Sequence, residues 1–356
     1  MKKVNLQLHT TLCRGLKAAL IAAALFVGCG VATAQAPSDS TSAAAQPQLS
    51  AEDMFNKGYA FMENKEYEQA AEWYRRAAEQ GHDGAQNNLG VCYANGWGVK
   101  QSYATAVEWF IKAAEQGNDN AQCSLGYYYH VGRGVGQSDK QSYYWYRQAA
   151  EQGNAYAQYR VGICFYDGRG VDAHLPTAVE WYRKAAEQGL PEAQYNLGVC
   201  YSKGIGGTQS DTLAVEWFTK AAEQGFAYAQ YHLGTFYYEG RGVRKSYSTA
   251  VSWYRKAAEQ GHSQAQADLG VCYYTGRGVT KSYTKAVEWL TKAANQGDAI
   301  AQYYLGQCYQ YGRGVRKNNQ EAYEWYCISA AQGYHPAQEA VENIDMEMAR
   351  TRRRRH

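Results

Sequence analysis

One serine in this chain stands where acyl-transfer chemistry could begin. Ser282-Tyr283-Thr284-Lys285 places a lysine one helical turn after a serine, so an amine could take the proton of a nucleophilic hydroxyl. The pair has no company. Neither Lys-Thr-Gly nor Ser-Asp-Asn occurs, and the residues that recur in the register of Ser282 lack the lysine. Gly-x-Ser-x-Gly, a Walker loop and His-Glu-x-x-His are absent too. His82, His130, His174, His232, His262 and His335 do not all share one register, which argues against a metal ladder. The chain is therefore expected to be no enzyme and to hold no metal or cofactor. Ser282 is expected to be a helix cap.

Cysteine chemistry fares no better. Beyond the first 34 residues lie Cys92, Cys123, Cys164, Cys200, Cys272, Cys308 and Cys327, with no Cys-x-x-Cys among them. Cys92, Cys164, Cys200, Cys272 and Cys308 recur in one register, and Tyr128 and Phe236 fill that register elsewhere. A position that accepts Cys, Tyr or Phe asks for a buried side chain, not a thiol. Equivalent helices stack about 8–10 Å apart, whereas disulfide Cα atoms lie within about 7 Å. These cysteines are expected to stay free in the core.

The elements carrying these residues repeat. Trp73, Trp109, Trp145, Trp181, Trp217, Trp253, Trp289 and Trp325 are spaced 36 residues apart without a slip. A period of that size marks a repeat array. Each unit has two helical patterns. The first reads Ala85-Gln86-Asn87-Asn88-Leu89-Gly90-Val91-Cys92-Tyr93, and its glycine returns at Gly126, Gly162, Gly198, Gly234, Gly270 and Gly306. Glycine inside a helix costs roughly 0.5–1 kcal/mol relative to alanine, so its return implies close helix approach. The second reads Ala106-Val107-Glu108-Trp109-Phe110, then Ala113-Ala114-Glu115-Gln116-Gly117. Glu108 and Lys112, Glu180 and Lys184, Glu216 and Lys220, and Glu288 and Lys292 lie four apart on its outer face. Gly96-Trp97-Gly98-Val99 and its equivalents join the two helices, with the valine expected to plug the gap. Ser102, Ser138, Ser210, Ser246, Ser282 and Asn318 form an N-cap series that His174 breaks.

These residues together resemble the Sel1-like repeat family, a relative of the tetratricopeptide repeats. Leu89-Gly90-x2-Tyr93 followed by Ala106-x3-Phe110 and Ala113 is similar to the tetratricopeptide skeleton, and the Gly-x-Gly-Val loop is the Sel1-like feature. The resemblance implies an all-α, right-handed α/α superhelical solenoid of about eight helix-turn-helix units over residues 51–335. The units run approximately 51–83, 84–119, 120–155, 156–191, 192–227, 228–263, 264–299 and 300–335. The first has Glu63-Asn64-Lys65-Glu66 where the others have the glycine loop, and is expected to cap the array. Residues 336–349 are expected to form a closing helix.

The ends read differently. Lys2, Lys3, Arg14 and Lys17 precede the apolar run 18–27 and Ala32-Thr33-Ala34, so residues 1–34 read as a secretory signal peptide. Phe26-Val27-Gly28-Cys29 also resembles a lipobox, which would anchor the chain through a lipid on Cys29. Residues 35–50 read as a flexible linker and 350–356 as a basic, solvated tail. Either reading of the leader means export, to the periplasm or beyond, with no transmembrane span. The formal charge is +3 from 36 basic and 33 acidic residues. Setting aside four basic residues in the leader and five in the tail leaves 27 against 33, an acidic body that argues against nucleic acid.

In tetratricopeptide-like solenoids the first helix of each unit lines the concave surface, and repeat proteins bind there. Carried onto this chain, that resemblance makes Tyr159, Tyr195, Tyr231 and Tyr303, three before the helix glycine, inward-facing. Tyr156 and Tyr228 lie a turn earlier, Tyr166, Tyr238 and Tyr274 a turn after the glycine, and Tyr127 directly after its own. Tyrosine offers rigid apolar area and one polar end. The expected activity is a non-catalytic adaptor binding a peptide or protein partner on this surface. A carbohydrate or peptidoglycan binder is the alternative, with a cell-wall or β-lactam hydrolase through Ser282 behind it. The loop arginines Arg133, Arg169, Arg241, Arg277 and Arg313 are expected to pack locally. Trp97 is either a contact anchor or folds over the first unit.

Overall fold

The computed structural model describes residues 49–353; the leader with Cys29, most of the linker and the end of the tail lie outside the described residues. The first helices of the units, called A, are α1 (Ala51–Glu63), α3 (Asp83–Asn95), α5 (Asp119–Val131), α7 (Ala155–Asp167), α9 (Pro191–Lys203), α11 (Ala227–Glu239), α13 (Ser263–Thr275) and α15 (Ala299–Tyr311). The second helices, B, are α2 (Tyr67–Glu79), α4 (Tyr103–Glu115), α6 (Asp139–Glu151), α8 (Leu175–Glu187), α10 (Asp211–Glu223), α12 (Tyr247–Glu259), α14 (Tyr283–Asn295) and α16 (Asn319–Ala331). The longer α17 (His335–Arg353) closes the array. Among the described residues there is no strand, and the helices form a solenoid of helix-turn-helix units.

The helix glycine explains why A and B pack so tightly. Phe218 of α10, fully buried, lies so close to Gly198 of α9 that a Cβ there would sit 2.7 Å from the ring. A Tyr, Phe or Leu of the B helix fills the same place at each unit, from Tyr74 over Gly58 to Tyr326 over Gly306. The loop is equally constrained. Gly98 has φ +66°, and a Cβ would fall 2.0 Å from the Tyr67 carbonyl oxygen. That loop therefore lies against the first turn of the preceding B helix. The first unit has no such loop, and Lys65, with φ +63°, is the one non-glycine residue at positive φ among the described residues.

The outer tryptophans are half-buried, apart from buried Trp181. Lysines three residues on cover several of them: Lys112 over Trp109 at 4.0 Å, Lys184 over Trp181 at 4.2 Å, Lys256 over Trp253 at 4.0 Å. Of the four expected Glu–Lys pairs, Glu216–Lys220 and Glu288–Lys292 form at 2.7 and 3.1 Å. Lys112 and Lys184 sit over their tryptophans without an ion pair, whereas Lys220 and Lys292 lie over Trp217 and Trp289 and pair as well.

Several expectations need correction. His174 does not break the cap series: its Nδ1 accepts from the Thr177 N–H at 3.3 Å, so an imidazole lone pair replaces the serine oxygen. Of the two readings for Trp97 the structure shows the second, since it stacks on Tyr67 at 5.6 Å over the first unit. The closing helix does not stop at 349. It runs through Arg353, as Met346, Met348 and Ala349 favour helix and neither glycine nor proline intervenes. Ser282 accepts from the Lys285 N–H at 3.4 Å as a cap, while the Lys285 ammonium lies over Tyr273. The seven cysteines among the described residues are free, and burial pushes the thiols of Cys92, Cys200, Cys272 and Cys308 up to about 12. No helix among the described residues is long and apolar enough to cross a membrane.

Candidate functional site

The A helices α13 and α15 touch side by side, and no pair of B helices does to the same extent. Aromatic side chains of the A helices meet across the seams. Tyr195 of α9 lies 6.1 Å from Tyr228 and 5.5 Å from His232 of α11. Tyr274 of α13 lies 5.3 Å from Tyr304 of α15.

The structure divides the ten tyrosines singled out above. Tyr159 and Tyr274 are buried, at 6 % and 8 % exposure, and do not present a ring to a groove. The residue three before the helix glycine leans on the B-helix ring that fills the glycine's place: Tyr159 on Tyr182, Tyr195 on Phe218, Tyr231 on Tyr254 and Tyr303 on Tyr326. Tyr159 also packs on Tyr156, and Tyr274 lies against Tyr283 and Tyr304. Tyr195, Tyr231 and Tyr303 remain half-buried, so each shows one edge while its other face is fixed. Tyr127, Tyr156, Tyr228 and Tyr238 are half-buried as well, and Tyr166 is exposed. Tyr231 also stacks on His262 at 4.8 Å. Tyr303 accepts from Gln307 at 2.8 Å and borders a cavity of about 150 Å³ between α15 and α17.

The loop arginines pack locally, as expected. Arg241 grips Asp211 with Nε and Nη2 at 3.1 and 2.7 Å, and Arg169 pairs with Asp167 at 3.1 Å. Arg277 and Arg313 donate to the hydroxyls of Tyr238 and Tyr274, one unit back. Two of the inner tyrosines are thereby tied to the loop rim.

Sequence reasoning passed over the neighbouring register, two before the helix glycine. It holds Asn88, Ser124, Arg160, Asn196, His232, Asp268 and Tyr304. Burial pushes Asp268 up to about 6 despite the Tyr231 hydroxyl, which favours its charged form. Burial holds His232 down to about 4, helped by neighbouring positive groups, and burial alone does the same to His262. Arg160 is buried outright. The available signal was a position that changes identity at each unit inside an otherwise repeating helix. Also unread was a glutamine line. Gln194 donates to the Ala186 carbonyl at 3.1 Å and accepts from Gln224 at 2.8 Å. The same pair of bonds recurs from Gln86 to Gln302. No cluster of His, Cys, Asp or Glu among the described residues is placed to hold a metal.

Comparison with known proteins agrees with this repeat geometry. The family model described as Sel1 repeat matches residues 43–82, 84–118, 119–154, 155–190, 191–226, 227–262, 263–298 and 299–334. A solved protective antigen present in uropathogenic Escherichia coli strains, displaying an SLR fold, is 41% identical with a TM-score of 0.78. That match covers 83% of this chain, which spans only 65% of the antigen's chain. A Sel1 repeat protein from Oxalobacter formigenes is 34% identical over 83% of this chain and 86% of its own, with a TM-score of 0.63. No curated protein matches the chain.

Proposed function

The chain belongs to the Sel1 repeat family, whose members are in general protein-interaction scaffolds, and from that premise we propose an exported, non-catalytic adaptor that binds a peptide or protein segment along its inner face. One observation carries this reading. At Tyr195, Tyr231 and Tyr303 the inner register carries half-buried rings that lean on B-helix aromatics. Such rings lose little rotamer freedom on binding, so their contact area converts into affinity at low entropic cost. Export rests on the pattern of residues 1–34. The similar solved protein, a protective antigen of uropathogenic strains, supports it.

Photo-crosslinking in cells tests the proposal, with the probe placed at Tyr195 or Tyr231 and at Glu216 on the outer helix face as control. The expected result is one protein captured from both inner positions and not from Glu216. Equal capture from both faces would overturn the inner-face reading. Glycan fragments captured in its place would favour a wall-binding protein.

A further inference from the structure

Arg160 is the one charged residue classed as buried among the described residues, at 6 % exposure. It sits on α7 one turn after Tyr156. Its Nη1 donates to the Tyr156 hydroxyl at 3.2 Å. Its guanidinium carbon lies 4.9 Å from the Tyr146 ring centre and 5.9 Å from that of Tyr156. No ion pair among the described residues includes it. Nε is buried with no acceptor; Nη2 also makes no hydrogen bond but keeps contact with solvent. An unpaired buried guanidinium is among the costliest placements in a protein, and stacking on aromatic faces recovers only part of that cost.

The geometry that would satisfy it stands elsewhere in the same chain. Arg241 presents Nε and Nη2 to the two oxygens of Asp211, a planar two-pronged grip that suits a carboxylate. The same edge of Arg160 has no acceptor. A second donor lies beside it. The hydroxyls of Tyr254 and Tyr326 donate to Thr235 and Gln310, whereas the equivalent Tyr146 hydroxyl is buried without a partner. Glu192, whose Oε2 is buried and unpartnered, forms no ion pair with Arg160, and burial raises its pKa toward the neutral form.

We propose that Arg160 is a carboxylate seat on the floor of the inner face. Its Nε–Nη2 edge, entered from the Nη2 side and aided by the Tyr146 hydroxyl, receives one carboxylate of the bound segment. This rests on the inner face being the binding surface. The carboxylate is an Asp or Glu side chain, or the segment's own C-terminus. A polyanion fits poorly, because the array and linker carry 33 acidic against 27 basic residues and would repel it beyond the single local cation.

The test needs no partner. The full chain, with ¹⁵N-labelled arginine, is titrated with acetate and with acetamide while the Arg160 Nε–H resonance is followed by NMR. Tyr156 ring resonances give a second readout. Acetate is expected to shift Arg160 saturably and acetamide not at all. In Arg160→Lys, which keeps the charge but loses the edge, acetate affinity at Tyr156 is expected to fall at least tenfold, with the helical circular dichroism unchanged. In Tyr146→Phe a fall of about threefold is expected. Equal response to acetate and acetamide, or undiminished binding in Arg160→Lys, would overturn the seat. N-acetylglycine against N-acetylaspartate α-amide then separates a chain terminus from a side chain, and equal affinity means that the seat reads the carboxylate alone. Crosslinking from Tyr195 and Tyr231 reports on the inner face without Arg160, so the seat and the groove can fail separately.

Discussion

The glutamine line and the inner line run on the same helices two residues apart, and they differ in what each unit is free to change. Gln86, Gln122, Gln158, Gln194, Gln230, Gln266 and Gln302 are all buried, and each makes the same two bonds to flanking B helices. Asn88, Ser124, Arg160, Asn196, His232, Asp268 and Tyr304 occupy the inner line with no common chemistry. In a solenoid, stability is approximately a sum over units and nearest-neighbour interfaces. A buried side chain that makes the same two bonds at each interface cannot vary without losing both at that seam. The side chains of the inner line share no such bond: Arg160 donates to Tyr156, and His232 stacks on Phe218; under the proposed function their variation would distinguish one position along a bound segment from the next.

The largest expected break falls on the repeated side of that contrast. Gly198→Leu adds a side chain where even one carbon would sit 2.7 Å from Phe218, a ring that is itself fully buried. The loss should exceed the roughly 1–3 kcal/mol of ordinary overpacking and abolish cooperative unfolding at that unit. Tyr166→Ala, at an exposed inner position, should shift stability by no more than about 0.5 kcal/mol. Urea unfolding of the two variants checks both; equal midpoints would erase the division between stacking and display.

A pair of variants sharpens it. Gln194→Leu removes its bonds to the Ala186 carbonyl and from the Gln224 amide; the carbonyl still accepts from the Gly189 N–H and the amide still donates to the Gly189 carbonyl, so the loss should be about 0.5–1.5 kcal/mol for each bond. Arg160→Met removes a buried unpaired charge while keeping much of the volume. It should be neutral or stabilising, by up to about 4 kcal/mol. Two buried polar residues, each replaced by an apolar one, are thus expected to move the thermal midpoint in opposite directions. A loss in Arg160→Met as large as that in Gln194→Leu would mean that Arg160 is structural.

The same division governs what could be read from sequence. The period of the tryptophans, the helix glycines and the serine caps announced the solenoid because each recurs, and recurrence survives without coordinates. Tyr159 and Tyr274 defeated the reading because helical periodicity gives a direction but not the depth of the neighbouring ring. At Tyr159 that neighbour is Tyr182, and the ring is sealed against it. His174 misled for a related reason, since capping needs a lone pair at the right place and a histidine nitrogen supplies one as well as a serine oxygen. Arg160 could not have been found by motif at all. Its interest lies in bonds that it does not make, and those exist only once the surrounding chain is placed.

Acid titration gives the smallest expected effect and tests the inner line alone. His232 is held from 6.5 down to about 4, chiefly by burial. Between those values the unfolded chain takes up a proton that the folded chain refuses, so this residue makes stability fall as pH falls. Asp268 is raised from 3.8 to about 6, again chiefly by burial. Here the folded chain keeps a proton that the unfolded chain releases, so this residue makes stability rise as pH falls through the same window. Relative to the parent chain, His232→Gln should therefore gain stability steadily from pH 6.5 to 4, whatever offset it carries from losing its stack on Phe218. Asp268→Asn should hold an advantage at pH 7 that closes by pH 4. Thermal midpoints at four or five pH values separate the two slopes, since constant offsets from lost contacts cancel and only the sign of each slope counts. Parallel slopes in the two variants would mean that neighbouring groups, not burial at each position, set the titration, and that units of the inner line do not act independently.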